Sequence, residues 1–74
     1  MTNDKLKLKQ ILARNMKKYR AKLGLTQERS AERADLTVKY WQRLEMVSQS
    51  DLPSLPALLK IAKALEIKIY HLFL

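Results

Sequence analysis

The sequence predicts an all-α single domain of five short helices. Three observations carry this. Leu8, Leu12, Met16, Tyr19 and Leu23 recur at a 4-4-3-4 spacing, which is one stripe of an α-helix. Thr26, Thr37 and Ser54 each stand immediately before a run that suits a helix, where a side-chain oxygen can cap free backbone N–H groups. The chain is 74 residues long, with no internal repeat, linker or low-complexity tract, so residues 1–74 are one domain.

Each element follows from local chemistry. Residues 1–8 are polar and basic, and are expected as a frayed N-terminal approach. The first helix is expected to begin between Asp4 and Leu8 and to run to about Lys22, with Lys9, Arg14, Lys17, Lys18 and Lys22 off the apolar stripe. Gly24, the single glycine, ends it as a left-handed cap, and Leu25 drops into the core. Thr26 caps a second helix, Gln27 to Ala34. Arg29 stands three residues on, so the cap is one side chain and not a full capping box. Asp35 and Leu36 form a tight turn, Asp tolerating the left-handed conformation better than most residues. Thr37 caps a third helix that runs to about Met46, and Met46 to Pro53 is a loop. Ser54 caps the fourth helix, with Pro56 in its first turn, where no intrahelical donor is needed. Leu55, Leu58, Leu59, Ala62 and Leu65 give that helix an apolar face. Glu66 to Lys68 is a link, and Ile69 to Leu74 a final short helix without a good N-cap.

Composition narrows the function. There are 15 basic and 7 acidic side chains, a net charge of +8. Residues 1–25 hold eight basic side chains against Asp4 alone, whereas residues 26–47 hold four of each sign. The positive charge therefore sits on the first helix. It fits either a solvated face or a polyanion partner, and charge alone does not choose among DNA, RNA and an anionic membrane. Without cysteine there is no disulfide and no thiolate metal site, and His71 is the single histidine, so no metal is expected. No apolar run approaches a membrane span, and the first residues do not form a signal peptide. A soluble cytoplasmic protein is the expectation.

Residues 26–45 organise the rest. Ala31, Ala34, Leu36, Trp41 and Leu44 lie on one side of a bent two-helix unit, and Gln27, Glu28, Val38, Lys39, Gln42 and Arg43 on the other. A short helix, a tight turn and a capped second helix with a polar outer face outline a helix-turn-helix. The series Gly24-Leu25-Thr26-Gln27, Ala31, Leu36-Thr37, Leu44-Glu45 and Ser54-Leu55-Pro56-Ala57-Leu58-Leu59-Lys60-Ile61-Ala62-Lys63-Ala64-Leu65 resembles the phage-repressor-like (Xre or Cro-type) helix-turn-helix family, over about Leu12 to Leu74. The resemblance implies a compact five-helix lambda-repressor-like DNA-binding domain, with helices two and three as the helix-turn-helix. The chain departs from that pattern at Val47, where the family usually has Gly, and in a loop that is longer and lacks a basic pair. It departs again at Lys68 in place of Ser, and at Ser30 and Trp41. The last two face each other across the turn, so Trp41 is read as filling the space Ser30 leaves. An exposed Trp at an interface is the competing reading.

An α-helix fits the B-DNA major groove, where each base pair shows a distinct donor and acceptor pattern. Lys39 and Arg43 can donate to guanine O6 and N7, Gln42 can pair with adenine, and Val38 can meet a thymine methyl. The resemblance places base contacts at Thr37, Val38, Lys39, Gln42 and Arg43. It also places a phosphate contact at Gln27, beside a helix N-terminus. Arg14, Lys17 and Lys18 are generic phosphate candidates. Tyr40 is expected exposed beside the reading face, as a phosphate donor or a plain surface residue. The resemblance further implies an ion pair, Arg20 with Glu45, beneath the helix-turn-helix, with a role in orientation rather than net stability.

Family members usually bind as dimers on half-sites about one helical turn apart. Ile67, Tyr70, Phe73 and Leu74, with Ile11, are candidates for a two-fold contact. The alternative is a C-terminal cap folded onto the chain's own core. An enzyme is the poorest fit and is not expected, for want of a Gly-rich phosphate loop, a nucleophile with its base, and usefully spaced carboxylates. The expected function is a sequence-specific double-stranded DNA-binding transcription regulator, a repressor without cofactor or small-molecule ligand. The alternative is a protein-interaction module, such as an antitoxin or phage accessory subunit, that keeps the fold without reading DNA. A membrane-binding amphipathic helix fits the compact helical pattern poorly.

Overall fold

A computed structural model describes the backbone of residues 2–74 and the side chains from Asp4 onward. It holds α1 (Thr2–Lys22), α2 (Gln27–Arg33), α3 (Val38–Leu44) and α4 (Leu55–Ala64), followed by a 3₁₀ turn, Ile69–Phe73. The expected fifth α-helix is therefore corrected to a 3₁₀ turn. The segment is too short to repay α-helix nucleation, and Lys68 offers no side-chain cap. The imidazole substitutes in part: the Lys68 backbone N–H donates to His71 Nδ1 at 3.2 Å.

The three polar caps do what their chemistry allows. Thr26 Oγ1 accepts from the Arg29 N–H at 3.0 Å, Thr37 Oγ1 from Tyr40 at 3.1 Å, and Ser54 Oγ from Ala57 at 3.3 Å. Three helix ends share one closing device. Leu25 N–H bonds to Arg20 O and Gly24 N–H to Ala21 O, both at 3.0 Å, with Gly24 at φ +68. That is a Schellman motif. Asp35 (φ 56) closes α2 in the same way, and Glu66 (φ 60) closes α4. Such a conformation is ordinary for Asp and less so for Glu.

The core joins Leu12 and Met16 of α1, Ala31 and Ala34 of α2 and its cap, Trp41 and Leu44 of α3, Ile61, Ala62 and Ala64 of α4, then Leu65 and Leu72. The inward face of α1 differs from the expected stripe. Leu8 and Leu23 are exposed, and the buried line runs Lys9, Leu12, Ala13, Met16. The helix begins at Thr2, and its residues 4–8 all lie exposed. On α4 the apolar face likewise turns. Ala57 and Ile61 are buried while Leu55 and Leu59 stand out to solvent. α1 lies against α3 and the 3₁₀ turn, α2 against α3 and α4. Asn15 of α1 fixes the far end, its Nδ2 donating to Leu72 O at 2.9 Å in a buried site. Among the described residues no helix is long and apolar enough to cross a membrane.

Candidate nucleic-acid interface

α3 is two turns long, started by Thr37 and closed at Glu45. Trp41 and Leu44 are fully buried on its inner side, and Lys39, Gln42 and Arg43 are exposed on its outer side. Val38 and Tyr40 sit between, half-buried and packed against the core. Tyr40 is thus not the fully exposed residue expected from the sequence. Burial pushes its hydroxyl pKa above the ordinary 10.0, Asp51 adds to the shift, and Arg43 opposes it. Thr37 is exposed, but its oxygen is occupied by the cap bond.

What fixes the direction of α3 lies behind it. Glu45, 2% exposed, is a four-fold acceptor. Arg20 grips it with Nε at 2.9 Å and Nη2 at 3.1 Å, Gln27 Nε2 donates at 3.0 Å, and Trp41 Nε1 donates at 2.6 Å. Arg20 Nη1 also donates to the Leu25 carbonyl at 3.0 Å. One carboxylate thus joins α1, the start of α2 and the buried side of α3. The structure brings Arg20 and Glu45 together, as the family pattern implied. It also places Trp41: the indole is wholly buried in the core and its N–H has a charged acceptor, while Ser30 is buried on α2 with its hydroxyl unpartnered among the described residues.

A second support is one the sequence did not suggest. Lys9 is fully buried under the end of α3, its Nζ donating to Arg43 O at 3.0 Å and to Asp51 O at 3.3 Å. The Arg43 carbonyl belongs to the last turn of α3 and accepts the Met46 N–H at 3.2 Å. Lys9 adds a charged donor to it and ties the 46–53 loop to the same point. Burial is the largest influence on its pKa and lowers it below 10.5; Asp51 opposes that and Arg43 adds to it. The only sequence signal for this role is position. Lys9 stands three residues before Leu12 and seven before Met16, on the buried face itself.

The expected phosphate contacts divide. Lys17 and Lys18 are exposed on α1. Lys18 Nζ lies 5.3 Å and Lys22 Nζ 5.5 Å from the Tyr19 ring centre, so both ammonium groups border an aromatic face. Arg14 is exposed, with Nη2 donating to Leu74 O at 2.8 Å. Gln27 turns its amide inward. Its Nε2 serves Glu45, and its Oε1 lies 3.4 Å from Gln42 Nε2. Of the two-fold candidates, Ile67 and Phe73 pack against the chain's own core, as the capping alternative requires. Ile11 is half-buried, and Tyr70 and Leu74 are 57% and 71% exposed.

A capped two-turn helix, braced from behind by two neighbouring helices and presenting a polar outer edge, defines a helix-turn-helix domain. The chain matches the family model described as a helix-turn-helix domain over residues 11–68, and it belongs to that family of DNA-binding domains. No curated protein and no solved structure matches it.

Proposed function

We propose that the chain is a cytoplasmic, sequence-specific regulator of transcription, a repressor of the phage-repressor (Xre or Cro) type that reads the DNA major groove with α3. One observation carries the reading. Lys39, Gln42 and Arg43 project from a helix whose opposite side, Trp41 and Leu44, is wholly buried and locked to α1 through Glu45. Lys39 and Arg43 donate to guanine, Gln42 pairs with adenine, and Val38, half-buried, meets a thymine methyl, with Thr37 at the groove edge. Arg14, Lys17, Lys18 and the Tyr40 hydroxyl bind phosphate, and Gln27 reaches one when its amide turns outward. Two copies pair through the surface bearing Tyr70 and Leu74, and no cofactor takes part.

Selection of bound duplexes from a random pool tests this, followed by titration of the selected duplex in increasing salt. The expected result is a preferred sequence in two half-sites, and a log–log salt slope of about −0.9 per phosphate contacted. Absence of DNA binding at low salt overturns it. The chain would then be a protein-interaction module that keeps the fold.

A further inference from the structure

Among the described residues, the loop after α3 carries the one acid paired with a proposed base-reading side chain. Asp51 Oδ2 lies 3.4 Å from Arg43 Nη2, and Asp51 Oδ1 lies 4.0 Å from Lys9 Nζ. Lys9 itself is fully buried and holds the backbone of both residues, through Arg43 O and Asp51 O. Arg43 is therefore contacted twice. Its main chain is held by the Lys9 amine, and its guanidinium forms an ion pair, without a hydrogen bond, with the side chain of a residue whose backbone carbonyl the same amine holds. The ion pair engages Nη2 and leaves Nε and Nη1 outside the contact, and the side chain is 51% exposed.

We infer that Asp51 is a positioning residue for base recognition, holding the Arg43 guanidinium in a set orientation from which its free donors meet a guanine. This rests on the DNA-reading function proposed above. The physical reason is conformational entropy. A free arginine on a helix surface samples many rotamers, and ordering it on binding costs affinity for the correct base. A carboxylate already in place removes most of that loss, and the flat guanidinium still has donors to present as a pair. The same carboxylate carries negative charge toward the DNA backbone, which weakens attraction to every duplex alike. Asp51 therefore has two effects of opposite sign. It raises discrimination at one base pair and lowers general affinity. A loop residue with a merely structural role would not separate these.

The probe is the duplex the wild-type chain selects from a random pool, with its single-base-pair variants, titrated by fluorescence anisotropy. Wild type is expected to discriminate about 5- to 150-fold at the base pair Arg43 reads. Asp51→Asn lowers that ratio by about threefold or more and leaves ratios elsewhere within about twofold. It also binds a random duplex at low salt as tightly, or up to about fivefold more tightly. In an Arg43→Met background, Asp51→Asn changes no ratio. If Asp51→Asn tightens all duplexes equally and keeps the discrimination, the inference is wrong and Asp51 merely competes with DNA. If Arg43→Met relaxes one base pair and Asp51→Asn does not, only the role of Asp51 fails. If wild type shows no preference among duplexes, the DNA-reading function fails, and this inference with it. Should Asp51→Asn not fold, nuclear magnetic resonance on the free wild type decides. An order parameter for Arg43 Nε–H above about 0.6 supports a held guanidinium, and a lower one overturns it.

Discussion

Replacing Arg20 by Met should destabilise the domain by about 3 kcal/mol. The magnitude follows from what Glu45 loses. Its carboxylate is 2% exposed and accepts four hydrogen bonds, two of them from Arg20. Without Arg20 a buried negative charge remains, served by Gln27 and Trp41 alone, and the Leu25 carbonyl loses its side-chain donor. Removing one partner of a buried pair typically costs about 3–5 kcal/mol. Arg20 is itself 22% exposed, so water reaches part of the vacated space and the lower end applies. For a domain of this size that is about 12–24 °C in melting temperature, and most of the stability a small core supplies. The assay is urea denaturation followed through the single tryptophan, Trp41, which sits in the same network. The double variant Arg20→Met/Glu45→Met removes both charges and should recover to within about 1 kcal/mol of wild type. An Arg20→Met stability within about 0.5 kcal/mol of wild type would mean that Glu45 does not depend on Arg20. The pair would then be a wet surface contact with no hold on α3.

Two further perturbations test the frame around the site. Gly24→Ala should cost about 1 kcal/mol through backbone strain alone, because the added Cβ meets nothing within 4 Å while φ is +68; thermal unfolding measures it, and an unchanged midpoint contradicts the left-handed cap. Lys9 should make stability rise with pH. Its folded pKa lies below 10.5, so between that lowered value and 10.5 the unfolded chain binds a proton the folded chain has released. Tyr40 acts in the opposite sense: above 10.0 the folded chain keeps a proton the unfolded chain loses, so stability falls as pH passes upward through its raised pKa. In Tyr40→Phe the Lys9 rise should stand alone in urea titrations up to pH 10.5. In Tyr40→Phe/Lys9→Met it should vanish.

How much of this was readable in the sequence depends on how far the cause lies along the chain. The Thr26, Thr37 and Ser54 caps act three residues away, and the turns at Gly24 and Asp35 are fixed by single residues, so local chemistry reveals them. Arg20 and Glu45 are 25 residues apart, and only the family pattern linked them. Lys9 reaches 34 residues to Arg43 and 42 to Asp51, and Asn15 reaches 57 to Leu72. A lysine in an apolar register reads as surface until its distant carbonyls are known. The rotation of the α1 stripe has the same origin, since Leu8 lies outside the body that Lys9 enters. In the sequence Glu66 is only part of a link, because nothing in a glutamate signals the left-handed conformation that Glu66 adopts. The direction of the Gln27 amide was hidden too: a glutamine beside a helix start suits a phosphate, yet Glu45 is the nearer acceptor.

The proposed function requires that the outer edge of α3 enter the groove. Nitrogen-15 nuclear magnetic resonance of the chain, titrated with the duplex it selects, tests this most directly. The largest shifts should fall on the backbone amides of residues 37–43 and on the Gln42 side-chain amide, with smaller ones at Lys17 and Lys18. Shifts confined to α4 and the 3₁₀ turn, with α3 undisturbed at saturation, would contradict it.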